Sequence, residues 1–206
     1  MGRRRLWSSK VSFGLRADLK ALPERRPAGV AVDMQPTDPA AFGGFSAELE
    51  RVRGREAFEL TLREHFCRAG VRTLFVATTD AGEPIYAQWL VRTNEQRAIH
   101  RAAKRVFPQL RDGEALVEGA YTFVAYRRLG AMADGMHQLL VRARDAGDRS
   151  VLTYVDADNV ASLRGCAHVG FVADHVRENF WFLGRRIVRR RPLDDSAAAI
   201  WTAAVE

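Results

Sequence analysis

The chain contains 206 residues, of which 47% are hydrophobic and 28% charged, and its formal charge at neutral pH is +7. Such a length holds one α/β domain with a sizeable core and at most an appendage, and no stretch approaches the roughly 20 apolar residues that a membrane-spanning helix requires. The basic clusters Arg3–Arg5 and Arg185–Arg191 raise nucleic acid as a partner, but neither is interleaved with the aromatic side chains on which single strands stack.

Residues 1–29 lack clear periodicity and read as a basic arm, with Pro23 and Pro27 marking an extended linker. Val30–Met34 reads as a first strand, and Asp38–Pro39 as the N-cap and first position of a helix that Gly43–Gly44 interrupts. A second helix is expected over Glu56–Ala69, where Phe58, Leu62, His65 and Phe66 fall at helical spacing ahead of Gly70. Val71–Thr79 and Glu83–Arg92 form a β-hairpin around Asp80–Gly82. Asn94–Val106 reads as an inserted helix, followed by a strand over Ala115–Val124.

Met132, Met136, Leu139, Leu140 and Ala143 then recur at helical spacing, Gly147 ends that helix, and Val151–Val155 is a near-continuous apolar strand. Together these make one βαβ unit. Asn159–His168 reads as another helix ended by Gly170, and Phe171–Arg190 alternates enough for one or two closing strands. The resulting division is an arm over 1–29, a domain over 30–191 and a C-terminal tail over 192–206.

The segment Tyr121–Met136 joins a strand to a helix through a loop with one glycine, Gly130. A helix N-terminus presents unpaired backbone N–H groups and a positive dipole end, so a diphosphate can sit there without a charged side chain. Strand-to-helix turns of this kind also occur for purely structural reasons, and the loop alone does not choose between the two.

Arg127-Arg128-Leu129-Gly130-Ala131-Met132, preceded by Tyr126, resembles the pyrophosphate-binding signature Q/R-x-x-G-x-G/A of the GNAT (Gcn5-related N-acetyltransferase) superfamily. Met132 departs from it, standing where the signature has Gly or Ala. Asn159-Val160-Ala161-Ser162, followed by Gly170-Phe171, resembles the superfamily's N-x-x-[AS]…G-F segment at the expected distance. The resemblance is best over Ala115–Phe171. Over residues 30–92 it extends only to element order.

The resemblance implies an α/β (α+β) fold with a mixed, mostly antiparallel sheet, in which the parallel strands Ala115–Val124 and Val151–Asp156 splay apart. It implies acetyl-CoA or another acyl-CoA as co-substrate, with no metal. The pantetheine arm would enter the splay and pair with backbone near Phe123 and Val124, and the pyrophosphate would lie on the amides of Arg128, Leu129, Gly130, Ala131, Met132 and Ala133. Asn159, with Ser162 in the same segment, would hold the pantetheine arm, although Asn159 serves equally as a helix N-cap.

The implied reaction is direct attack of a neutral amine on the thioester, with one group taking a proton and another returning one to the departing thiolate. Glu118 is the candidate base, directly or through water. A peripheral salt bridge is the competing reading. The tyrosine that the family often uses as acid is replaced by Cys166, a thiol able to donate a proton or simply to pack. Tyr154, Tyr121, Tyr126 and His168 are substitutes among which no spacing selects. Tyr86 and Trp89, three apart on a strand, face opposite ways; one is expected to line the acceptor pocket and the other to join the core.

Cys67 and Cys166 lie far apart with no metal-ligand spacing, which points to free thiols. No signal-peptide pattern follows Met1, so a cytoplasmic location is expected. The acceptor is expected to be a primary amine of a small molecule or peptide, and the oligomeric state stays open. Two rivals accompany this reading: a non-catalytic acyl-CoA-binding regulatory protein, and a basic protein associated with nucleic acid.

Overall fold

The computed structural model describes residues 7–102, 107–182 and 185–206; the Arg3–Arg5 cluster and the last four residues of the expected Asn94–Val106 helix lie outside them. The first half comprises β1 (Trp7–Asp18), β2 (Gln35–Thr37), α1 (Gly44–Leu49), α2 (Gly54–Arg68), β3 (Leu74–Thr78), β4 (Pro84–Val91) and α3 (Gln96–Ala102). The second comprises β5 (Glu114–Thr122), α4 (Ala131–Asp145), β6 (Ser150–Asp156), α5 (Val160–His168), β7 (Phe171–Phe182), β8 (Arg185–Pro192) and α6 (Asp195–Val205). Among the described residues these strands form one eight-stranded sheet in the order β2-β3-β4-β5-β6-β1-β7-β8. β5 and β6 are parallel, and every other neighbouring pair is antiparallel. No helix of the described residues is long and apolar enough to cross a membrane.

The sheet separates two apolar cores. One unites Phe13, Leu15, Ile85, Val117 and Val151 with Met136, Leu139 and Leu140 of α4 and Leu163 and Cys166 of α5. The other packs Phe45 of α1, Leu60 and Phe66 of α2 and Ile99 of α3 against Val76, Trp89 and Leu116. Apolar side chains on both faces are what the near-continuous hydrophobic run of β4 requires.

Two expectations fail at the chain's ends. The basic arm contains strand β1, which lies inside the sheet between β6 and β7. Its residues alternate, with Phe13, Leu15 and Ala17 at most 1% exposed and Ser12, Gly14 and Arg16 on the opposite face, the period of a strand with one apolar side. The tail contains helix α6, where Asp194 Oδ1 accepts from the Ala197 amide at 2.8 Å and Trp201 meets Phe13 edge-to-face at 5.9 Å. The arm and the tail therefore pack on each other. The expected first strand at Val30–Met34 is displaced to Gln35–Thr37, and the helix expected at Asp38 begins only at Gly44.

Two irregularities break the regular pairing at the sheet centre. The parallel ladder between β5 and β6 consists of Glu114↔Ser150, Ala115↔Val151 and Leu116↔Leu152, beyond which the strands part. Opposite, β5 places Gly119 and Ala120 against the single residue Gln88 of β4, a β-bulge flanked by Glu118↔Trp89 and Tyr121↔Ala87. Gly119 has φ +68°, and a Cβ there would sit 2.7 Å from the Trp89 ring, so both conformation and space call for glycine.

Candidate functional site

Where β5 and β6 part, a cavity of 570 Å³ passes between the two faces of the sheet. On the α4 side its walls include Gln88, Met132, Met136, Asn159, Ser162 and Cys166; on the α2 side they include Phe58, Arg63, Glu118, Tyr154, Asp156 and Arg177. A passage lined by both apolar and polar side chains is the form expected of a site that holds a reacting group between two substrates.

Glu118 sits two residues past the end of the ladder on β5, and Tyr154 two residues past it on β6. Burial pushes the Glu118 carboxyl above its ordinary value; the Arg177 guanidinium, the Gly119 amide and the Arg63 guanidinium oppose that shift, and Asp156 adds to it. Asp156 is tied down by Ser12 Oγ at 2.9 Å, by Lys10 and by Arg55 at 3.3 Å. β1 thus supplies Lys10 to the polar wall and Ser12 behind it. Arg63 clamps the bulge from α2, donating to the carbonyls of Gly119 at 2.9 Å, Ala120 at 2.7 Å and Glu59 at 2.8 Å.

The four substitutes for the missing tyrosine separate by geometry. Tyr121 donates to Glu56 at 3.0 Å, Tyr126 donates to Glu83 at 2.6 Å, and His168 engages the Arg164 carbonyl at 2.9 Å. Tyr154 lines the cavity, and its buried hydroxyl has no hydrogen-bond partner among the described residues. The Arg177 guanidinium lies 3.9 Å from its ring centroid, and burial raises its phenol pKa. Cys166 is wholly buried against Met136, Sγ to Sδ 4.0 Å, and burial pushes its thiol up to about 12. It therefore keeps its proton at neutral pH.

At the α4 N-terminus Arg128 has φ +65° and Gly130 φ +83°, while residues 127–130 are exposed. No side chain caps this helix, and among the described residues no group accepts from the amides of Ala131, Met132 or Ala133. That is the arrangement an anion needs. Arg127 itself turns away from the loop, pairing with Glu56 and donating to the Thr122 carbonyl at 3.2 Å. Met132 lies against Gly165 of α5, its Sδ 3.3 Å from where a Cβ would stand; the larger side chain is received by the missing one.

Asn159 caps α5, its Oδ1 accepting from the Ser162 amide at 3.2 Å, and both residues line the cavity. Phe123 and Val124 are placed differently from the expectation. The Phe123 amide donates to the Ile85 carbonyl at 3.1 Å and the Val124 amide to Glu48 at 2.8 Å, so neither is free to pair with a ligand. The part of β5 that faces the splay without a partner strand is residues 117–122.

Tyr86 and Trp89 do face opposite cores, but both are 0% exposed and neither lines the cavity. The residue between them that does is Gln88. Sequence reasoning missed it, although a lone amide in the run Pro84–Val91 was a visible signal, since an unpaired buried polar group costs about 1–3 kcal/mol.

No protein-family profile matches the chain, and no curated protein matches it. Solved structures do resemble it. An acetyltransferase of the GNAT family from Colwellia psychrerythraea is 17% identical with a TM-score of 0.56, over 85% of this chain and 57% of that one. A GCN5-related N-acetyltransferase from Sphaerobacter thermophilus gives 13%, 0.53, 89% and 51%, and a protein of the GNAT family from Novosphingobium aromaticivorans 15%, 0.52, 83% and 63%. The chain spans between half and two thirds of the length of these proteins. At such identities the likeness is one of fold: the mixed sheet with its single parallel pair is that of GNAT acetyltransferases.

Proposed function

We propose that a chain with this fold is an acyl-CoA-dependent N-acyltransferase, with acetyl-CoA the first donor to try and a primary amine of a small molecule or peptide as acceptor. The observation that carries the reading is the cavity at the β5/β6 opening, lined by Glu118 from β5 and Tyr154 from β6. The free amides of Ala131–Ala133 would hold the diphosphate, Asn159 and Ser162 would meet the pantetheine arm, and the unpaired stretch of β5 would align it. Glu118 would take a proton from the attacking amine, directly or through water, and Tyr154 would return one to the thiolate.

A binding-only protein would follow from the replacement of tyrosine by Cys166 if nothing else could give a proton. Tyr154 answers that objection, because its raised phenol pKa keeps it protonated at neutral pH and its side chain lines the cavity. The test is calorimetric titration of CoA and acetyl-CoA, followed by thiol release with a panel of primary amines. Wild type is expected to bind both and to consume thioester. Gly130→Asp is expected to lose binding, since it sets a carboxylate at the diphosphate position, and Tyr154→Phe to bind normally while turning over 10²–10⁴-fold more slowly, roughly the worth of a positioned acid. Absence of binding in wild type would sink the proposal.

A further inference from the structure

Gln88 is 0% exposed in the middle of an apolar strand. Its Oε1 accepts from the Tyr86 hydroxyl at 2.8 Å. That hydroxyl has no other acceptor among the described residues, which fixes the orientation of the amide and turns Nε2 the other way. Nε2 is buried and without a partner among the described residues, and Gln88 forms part of the cavity wall directly across from the bulge at Gly119 and Ala120. Arg63 holds the carbonyls of Gly119 and Ala120, so those oxygens already have their donor.

A neutral N–H that is dry, without a partner among the described residues and carried by a side chain in the wall of a cavity suits an oxygen on which negative charge develops, because it needs no reorganisation when that charge appears. We propose that Gln88 Nε2 donates to the thioester carbonyl oxygen of the acyl donor and to the oxyanion formed from it. The inference rests on the acyl-transfer reading of the cavity. As the amine nitrogen bonds to the thioester carbon, the carbonyl π pair moves onto the oxygen held by Gln88. On collapse that pair returns, the C–S bond breaks, and sulfur leaves with its electrons and takes the Tyr154 proton. Glu118 holds the proton lost by the amine, and exchange with solvent restores both groups. Tyr86 is a positioning residue in this scheme, acting through the Gln88 amide.

The test uses the full chain with acetyl-CoA carrying ¹³C at the thioester carbonyl, read by isotope-edited infrared spectroscopy. The bound carbonyl band is expected to fall below its free frequency in wild type and to return toward it in Gln88→Leu. Turnover in Gln88→Leu is expected to drop about 10²–10³-fold, as for loss of one such donor, with CoA affinity unchanged. Tyr86→Phe keeps the ring and the fold but lets the amide turn over, and is expected to give an intermediate loss in kcat at unchanged KM for acetyl-CoA. An identical band and kcat in wild type and Gln88→Leu would overturn the assignment, as would a loss of CoA affinity in that variant. Failure of wild type to bind acetyl-CoA would instead defeat the acyl-transfer reading itself.

Discussion

Glu118 has opposite consequences for activity and for stability. Because burial raises its pKa in the folded chain, the group favours folding while protonated, and that contribution is lost as pH rises through the folded pKa. Glu118→Gln is therefore expected to melt higher than wild type at pH 8, by about 2–4 °C for each kcal/mol removed, with the gap closing in acid. The same variant should turn over about 10²–10⁴-fold more slowly. In wild type, kcat/KM should rise with pH through a value above the ordinary carboxylate range, and Glu118→Gln should abolish that limb. Melting curves and pH–rate profiles check both halves. The strand that carries Glu118, the turn at Gly130 and the helix start at Asn159 were legible in the sequence because each has a local signature. That Tyr154 keeps an unpartnered hydroxyl while Tyr121 and Tyr126 do not was not legible, since the partners of Tyr121 and Tyr126 lie more than 40 residues away.

At the scale of elements, the opening in the sheet is held by devices on either side of it. Arg63 of α2 fixes the bulge of β5 from one face, while Asn159 starts α5 beside the end of β6 on the other. Asn159→Ala is expected to cost about 1 kcal/mol as a lost N-cap and also to weaken acetyl-CoA binding; melting and titration of the same sample separate the two effects. The βαβ unit from β5 to β6 was readable because its helix and its buried strand differ in period. The bulge was not, since a single Gly119 in a strand does not say that an arginine 56 positions earlier will hold its carbonyl.

For the whole molecule, the position of β1 decides what can be removed. A terminal arm would be dispensable, whereas β1 bonds to β6 on one side and β7 on the other and carries Phe13 and Leu15 into the core. Deletion of residues 1–18 is expected to abolish the cooperative thermal transition, and circular dichroism on the truncated chain checks it. Strand β1 was not legible in a segment read as lacking periodicity, because no local pattern announces a strand that pairs across the length of the chain. Helix α6 was more accessible, with Asp194 followed by the alanine-rich run Ser196–Ala204.

The same strand sets the order in which the chain can assemble. Ser12 and Asp156 are 144 positions apart, and closing so long a loop costs entropy before any of its contacts return it. The neighbours β3, β4 and β5 can meet through shorter connections, so a nascent chain can form that half of the sheet while β1 waits, its apolar side uncovered, for β6 and β7 to be synthesised. Non-local pairing of this kind slows folding and lengthens exposure to misassociation. The sheet beside the opening between β5 and β6 is thus completed late, by a strand synthesised well before the partners it joins.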